Sequence, residues 1–523
     1  VNIALATLAL LVVFALIGKA MAPAWKVEPF SDHISLGSPD VGVAAKDVTV
    51  HHEGTYRIRE STLHLTMSDG TVLEAVLRQP VGASPRHAAC LFVHGSGTGS
   101  SRDFGDIASS MASAGITTLV PAKRLDDYSW THRDYERFAD DYRHCLDWLR
   151  NRPDVNPAKT GLYAESEGTW ISTLITDRDH DIAFAVLSSA PVVSGRQLMA
   201  MAASAYLQEA GVPASVRQNT AKLMSMDFAP FDLRYGDFDA KRYLSSLTMP
   251  VLVNYGVMDT AMPIEQGART ILDVAHRAGN DNVTVRYFHA NHQMREGAGL
   301  FEPGLPLADG YTKVLDDWVN AVAAGTKADG WATAQVAGAT PDQRFTAPHW
   351  TSSGLIGSLG LLCAMTVAAI LLPISAAVVA AALAVVRRFD PSRGRFPVGI
   401  ARLLTAAGVM PATIILLLSG YLAYAGWSAV MLNRRSLFFA IGWMVLRLGA
   451  LCNMVFAAWL LVRCRRDLRE RMHRTSSHDR GSGRSGDSVA AISGWGQWLV
   501  VGLIMAGALL SLTLMAFWGL FDL

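Results

Sequence analysis

Three patterns of hydrophobic and polar residues follow one another along the chain. Over residues 47–80 they alternate in short stretches, as in Thr62-Leu63-His64-Leu65-Thr66-Met67 and Val72-Leu73-Glu74-Ala75-Val76-Leu77. A period of two predicts half-buried strands, and Asp69-Gly70 between them predicts a hairpin turn. Beyond residue 80 the pattern changes to short apolar runs separated by helix-length segments. Runs 88–93, 117–120, 160–164, 183–187, 251–255 and 283–288 read as buried strands. Segments 104–114, 133–150 and one starting near Glu167 read as helices, and 196–228 is a helical stretch rich in Ala and Met. This alternation predicts an α/β domain with a mostly parallel central sheet flanked by helices.

The third pattern is continuous apolarity. Runs 355–386, 403–425, 437–462 and 489–518 are each long enough to cross a hydrocarbon core, which takes about 20 residues. A shorter run, 3–17, ends at Lys19 and reads as a signal anchor or a signal peptide. Ala20-Met21-Ala22 resembles a cleavage site, but Pro23 after it disfavours cutting. The domain reading is therefore an N-terminal segment 1–24, an α/β domain 25–330, a linker 331–353 and a four-helix transmembrane domain 354–523.

Charge sharpens this division. Only 17% of residues are charged, against about 25% in an average soluble domain. From Gly354 onward there are 16 arginines, no lysine and six acids, which leaves 30 basic and 39 acidic residues in positions 1–353. An acidic front and a basic, apolar back point to a lipid bilayer as partner rather than to nucleic acid. Arginines cluster after the first of the four runs (Arg387, Arg388, Arg393, Arg395) and after the third (Arg463 to Arg484). Only Arg434 and Arg435 stand between the second and third. The positive-inside rule places the two rich loops in the cytoplasm and the α/β domain on the extracytoplasmic side. The Ser/Gly/Arg-rich stretch 475–487 reads as a flexible cytoplasmic loop. Arg447, inside a span, reads either as a functional charge or as a residue facing the bundle and pairing with a carbonyl. The five cysteines read as buried thiols, with a Cys90–Cys145 bridge as the alternative. No Cys-x-x-Cys or Cys/His metal spacing appears, and no cofactor is implied.

Candidate chemistry lies at strand ends. Ala164-Glu165-Ser166-Glu167-Gly168 falls where a strand gives way to a helix, with small residues flanking the serine as a tight nucleophile turn requires. Taken alone, the pentapeptide reads equally as a serine capping a helix. Asp259 follows the 251–255 strand, and His292 follows the 283–288 strand through His289-Ala290-Asn291. Serine, acid and histidine thus occur in the chain order of a hydrolase triad, each at the C-terminal end of a strand. His94-Gly95-Ser96-Gly97 after the 88–93 strand supplies a glycine-rich turn whose Ser96 N–H, with that of Glu167, would hold an oxyanion.

His94-Gly95-Ser96-Gly97 with Arg102-Asp103, then Lys123-Arg124, Ser166-Glu167-Gly168 and Asn291-His292, resemble bacterial α/β-hydrolases of the serine esterase and aminopeptidase-like group. That group is also similar to dienelactone hydrolases and prolyl-oligopeptidase catalytic domains. The resemblance covers about residues 60–325 and does not extend to the membrane part. It implies the α/β-hydrolase fold, the same Ser166–Asp259–His292 triad, and His292 in preference to His289. Ala164-Glu165 departs from the Gly-His often found there, and Thr169 replaces a second glycine. Residues 196–246 fall where such enzymes often insert a cap. Met199, Met201, Met224, Met226 and Tyr206 would line an acyl pocket there, or form the inner face of packed helices. The leading expectation is an esterase or thioesterase acting on a small-molecule or lipid-like acyl substrate. The alternatives are a peptidase with the same triad, with Glu165, Glu167 or Asp126-Asp127 holding an amine, and a transport or sensing protein with an accessory hydrolase domain.

Overall fold

The computed structural model describes residues 2–21, 27–129, 131–228, 233–298, 304–349, 355–390, 395–477, 492 and 494–522. The suggested cleavage site beyond Met21 and most of the arginine-rich loop 475–487 lie outside these residues. The chain divides into two compact units. One comprises residues 27–205 and 231–349, and the other residues 1–26, 206–230 and 350–523.

The first unit is built on a nine-stranded sheet of order β1-β2-β4-β3-β5-β6-β7-β8-β9. Its strands are β1 (Arg57–Thr66), β2 (Val72–Val81), β3 (His87–Val93), β4 (Thr117–Pro121), β5 (Val155–Glu165), β6 (Ala185–Ser188), β7 (Val251–Gly256), β8 (Val283–Phe288) and β9 (Val336–Gly338). β1 and β2 form the hairpin expected about Asp69-Gly70, and β2 meets β4 antiparallel. All remaining pairs are parallel. Helices α2 (Gly105–Ser113), α3 (Tyr135–Arg150), α4 (Glu167–Arg178), α8 (Ile264–Arg277) and α9 (Tyr311–Ala323) link and cover the strands. This is the α/β-hydrolase fold.

Strand alternation assigns side chains to two cores. Ala89, Leu91 and Val93 of β3 join Phe138, Ile171 and Ile271 on one face. Ala88, Cys90 and Phe92 join Met111, Tyr311 and Trp318 on the other. A parallel sheet covered on both faces must be apolar on both, which explains the continuous runs in the sequence. α3 shows how local signals agree with this packing. Asp134 caps it by accepting from the Arg137 N–H at 3.0 Å. Phe138, Tyr142, Cys145 and Leu149 repeat along its buried face.

The stretch expected as a linker, 331–353, differs from expectation. Its residues 336–338 form edge strand β9, and Gln343, Phe345 and Ala347 are buried in the α/β unit. Three residues at an edge carry too little periodicity to announce a strand.

The second unit is helical: α1 (Asn2–Ala20), α6 (Ala214–Arg217), α7 (Asn219–Met224), α10 (Leu359–Phe389), α11 (Val398–Val430), α12 (Ser436–Ser477) and α13 (Trp495–Phe517). Between the units in sequence runs α5 (Gly195–Glu209), which starts in the first and ends in the second. By length and composition α1, α10, α11, α12 and α13 are apolar enough to cross a membrane. Their outer faces carry exposed Leu8, Val12, Val367, Leu371, Val378 and Leu416, apolar area that a water-soluble surface avoids. Small residues bring helices together, as where a Cβ on Gly18 of α1 would stand 2.8 Å from the Ala516 carbonyl oxygen of α13. Arg447 turns inward and donates to the carbonyls of Leu520, at 3.3 Å, and Asp522, the carbonyl pairing foreseen. α12 continues past its apolar part, so Arg463, Arg465, Arg466 and Arg469 ride on helix rather than loop.

Three of the four methionines named in the cap stretch pack in hydrophobic cores. Met199 and Met201 pack in cores of the α/β unit, whereas Met226 and Tyr206 pack in the helical unit. All five cysteines are free. Cys90, Cys145 and Cys464 are buried, but Cys363 and Cys452 are exposed on helix surfaces, contrary to the expectation for all five.

Candidate active site

The C-terminal ends of β3, β5, β7 and β8 carry the residues singled out in the sequence. β5 ends at Glu165, and Ser166 turns directly into α4 with φ 53° and ψ −121°, a conformation that L-residues avoid. Such strain costs about 1–3 kcal/mol and persists only where the surroundings enforce it. Here the Ser166 N–H donates to the Ser188 carbonyl at 2.9 Å, pinning the turn to β6. A Cβ on Gly168 would overlap the carbonyl oxygens of Val93 and His94, so α4 packs directly on the end of β3. Ala164, fully buried, fits the first small position as glycine would.

The acid and histidine loops are brought together by a second close approach. A Cβ on Gly256, the last residue of β7, would overlap the carbonyl oxygens of Ala290 and Asn291. The Met258 N–H donates to the Ala290 carbonyl at 3.0 Å. Asn291 Oδ1 accepts from the N–H groups of Gln293 and Arg295 at 2.9 and 3.1 Å. Ser189 Oγ donates to the His292 carbonyl at 2.7 Å. In this frame His292 Nδ1 stands 2.7 Å from Asp259 Oδ2, and His292 Nε2 stands 2.9 Å from Ser166 Oγ. A carboxylate only accepts, so Nδ1 carries the proton and Nε2 is left to accept from the serine hydroxyl. Asp259 Oδ1 takes the Ala261 N–H at 3.0 Å, which orients the carboxylate. His289 is exposed and takes no part.

Ser96 and Glu167 flank the serine. A Cβ on Gly95 would stand 3.0 Å from the Glu165 carbonyl oxygen and 3.1 Å from Ser166 Cβ, so this turn lies against the Ser166 turn. Glu167 opens α4, and a first-turn N–H has no partner within its helix. The turn is anchored by buried His94. Its Nε2–H donates to the Ser100 carbonyl at 3.0 Å, and Nδ1 accepts from the Tyr142 hydroxyl at 3.0 Å. Burial lowers the His94 pKa to about 4, which keeps it neutral. Asp103 Oδ2 accepts from the N–H groups of Gly99 and Ser100, both at 2.8 Å.

Two further acids beside the serine differ in surroundings. The Glu167 carboxylate is buried and receives Lys123 Nζ at 2.6 Å, Arg133 at 2.5 Å and the hydroxyls of Tyr128 and Tyr135 at 3.0 Å. Burial works to raise its pKa, but Lys123 and Arg133 outweigh that and hold it below the usual range. Glu165, also buried, has the Tyr163 hydroxyl at 3.5 Å, and burial pushes it up to about 7 against the pull of His292 and Arg295. Burial opposes protonation of His292, yet Asp259 and then Glu165 raise its pKa above the ordinary imidazole value. Asp126 and Asp127 are exposed and pair with Arg137 and His132 at 3.4 and 3.2 Å.

Sequence reasoning missed the roles of Lys123, Tyr128, Arg133 and Ser189 around this site. Of these only Lys123 stood in a quoted motif. Its neighbour Arg124 is structural, gripping Asp141 through two bonds of 2.7 and 2.8 Å. Among the described residues no cluster of three or more His, Cys, Asp or Glu is arranged to hold a metal.

No protein-family model and no curated protein matches the chain. Solved structures similar to part of it include an α/β hydrolase from Penicillium, at 16% identity over 41% of this chain and 86% of the other, with a TM-score of 0.32. A putative dienelactone hydrolase from Klebsiella pneumoniae shows 14% identity over 45% and 88%, with a TM-score of 0.32. An esterase from Pyrococcus furiosus shows 15% identity over 51% and 89%, with a TM-score of 0.35.

Proposed function

We propose that the chain is a membrane-anchored serine hydrolase that cleaves acyl esters or thioesters on the extracytoplasmic side through an acyl-enzyme. The observation that carries this reading is the unbroken relay Ser166 Oγ–His292–Asp259 at 2.9 and 2.7 Å, set on a strained turn at the end of a sheet.

The chemistry follows from the protonation pattern. Ser166 Oγ attacks the acyl carbonyl as His292 Nε2 takes its proton, and Asp259 stabilises the imidazolium. Negative charge moves to the carbonyl oxygen, within reach of the Ser96 and Glu167 N–H groups. The tetrahedral species collapses, the C–O or C–S bond breaks, and His292 returns the proton to the leaving group. Water then attacks the acyl-serine with His292 again as base, releasing the acid and restoring Ser166.

An esterase is favoured over an aminopeptidase by the state of the acids. The Glu167 carboxylate is already filled by two cations and two tyrosines. Glu165 is buried, and its charge is engaged by His292 and Arg295. Neither is free to hold a substrate ammonium. Ser166→Ala should lower turnover of p-nitrophenyl esters by roughly 10,000-fold or more. Aminoacyl-p-nitroanilides should be poor substrates of the wild type. Full ester hydrolysis by the serine variant would overturn the assignment, and preference for the anilides would favour the peptidase.

A further inference from the structure

Lys123, just past the end of β4, takes no part in the triad, yet its side chain is fully buried beside it. Its ammonium donates to Glu167 Oε2 at 2.6 Å and to the Gly95 carbonyl at 3.0 Å. Glu167 also has Arg133 and two tyrosine hydroxyls. A second cation is therefore more than the carboxylate needs for neutrality, and burying one is costly. The contact with Gly95 gives a reason for it.

The Gly95 carbonyl and the Ser96 N–H belong to one peptide unit. A trans peptide is planar, with C=O and N–H pointing in opposite directions. A cation fixed on the oxygen therefore sets the direction of the N–H on the far side. It also draws electron density toward the oxygen and makes that N–H a stronger donor. The lack of space at Gly95 keeps this peptide against the nucleophile turn. On its other flank Gly97 has φ 83° and open space where a Cβ would stand, while the Tyr128 hydroxyl reaches Ser96 Oγ at 3.1 Å and Thr98 Oγ1 reaches the Gly95 carbonyl at 3.5 Å. The other end of the ammonium's grip is the residue bearing the second N–H.

We propose that Lys123 is a positioning residue that sets the Gly95–Ser96 peptide for oxyanion binding by holding the Gly95 carbonyl. This rests on the reading of Ser166 as nucleophile. The test uses the full chain in detergent or lipid. Lys123→Met keeps the length and removes the donor, while Arg133 still neutralises Glu167. The fraction of competent protein is counted by fluorophosphonate labelling carried to completion, and kcat is expressed per labelled site.

The expected result is a fall in kcat of roughly 100- to 1,000-fold, the range for losing one oxyanion donor. KM stays within about twofold, since the lost interaction acts only in the transition state. Affinity for a trifluoromethyl ketone, which forms an oxyanion on the enzyme, falls by a similar factor. Wild-type kcat per labelled site, or a loss carried by KM alone, overturns the proposal. If Lys123→Met does not fold, a structure of the wild type with that ketone decides. The oxyanion should lie on the Ser96 N–H with Lys123 still on Gly95. A Ser96 N–H turned away, or an ammonium moved onto the oxyanion, overturns it. Failure of the wild type to label at Ser166 would instead overturn the underlying reading.

Discussion

Three buried carboxyl groups surround one serine, and each has a different charge environment. Asp259 faces an imidazole N–H and accepts from it. Replacing it with Asn offers His292 an N–H2 group, which favours the wrong tautomer, with Nδ1 accepting and Nε2 protonated. Asp259→Asn should cost about 10,000-fold in kcat with little change in KM or melting temperature. A loss under tenfold would show that His292 is oriented by something else. Glu165 acts at longer range. It raises the His292 pKa together with Asp259, while Arg295 and Asp106 also bear on Glu165 itself. The imidazole must be neutral to take a proton, so activity is present above the raised His292 pKa and is lost as pH falls through it. Glu165→Gln removes one of the carboxylates that favour imidazolium. The acid limb of the kcat/KM profile should move to lower pH. An unmoved limb, or one displaced upward, would show that Glu165 does not influence the base.

At the scale of elements, the site depends on how closely strand ends approach one another. Gly256 lets the end of β7 touch the loop after β8, which is what brings Asp259 to His292. Gly256→Ala forces that loop outward. It should destabilise the protein by about 1–3 kcal/mol, as overpacking does, and reduce fluorophosphonate labelling at Ser166. Wild-type melting and labelling would show that the loops meet for another reason. The convergence of the candidate triad was legible in the sequence because buried parallel strands announce themselves as apolar runs, and a residue directly after such a run lies at a known end of the sheet. Ser166, Asp259 and His292 were each found that way. Lys123 and Glu167 were not linked, because a buried ion pair 44 positions apart leaves no periodic signal. β9 was missed because three residues are too few to show a period. The helical course of α12 through its arginines was hidden because charge was read as loop, although arginine is a good helix former.

At the scale of the whole molecule, the two units differ in where their apolar residues lie. The α/β unit hides its apolar residues in two internal cores, while the long helices of the other unit leave theirs on the outside. The arginine bias predicts a direction of insertion. Trypsin added to intact spheroplasts should cut the α/β unit, where Lys46 is exposed, and should reach the segment after Arg463 only on lysis. Cutting in the reverse order would place the site in the cytoplasm and remove extracytoplasmic acyl groups as substrates.

The central claim is that one hydroxyl on a strained turn is made nucleophilic by an imidazole held by a carboxylate. Fluorophosphonate treatment of the full-length protein, followed by mass-spectrometric mapping, tests it most directly. The account predicts a single adduct on Ser166 that vanishes in His292→Ala while the fold persists. An adduct on another residue, or no adduct on folded wild-type protein, would contradict it.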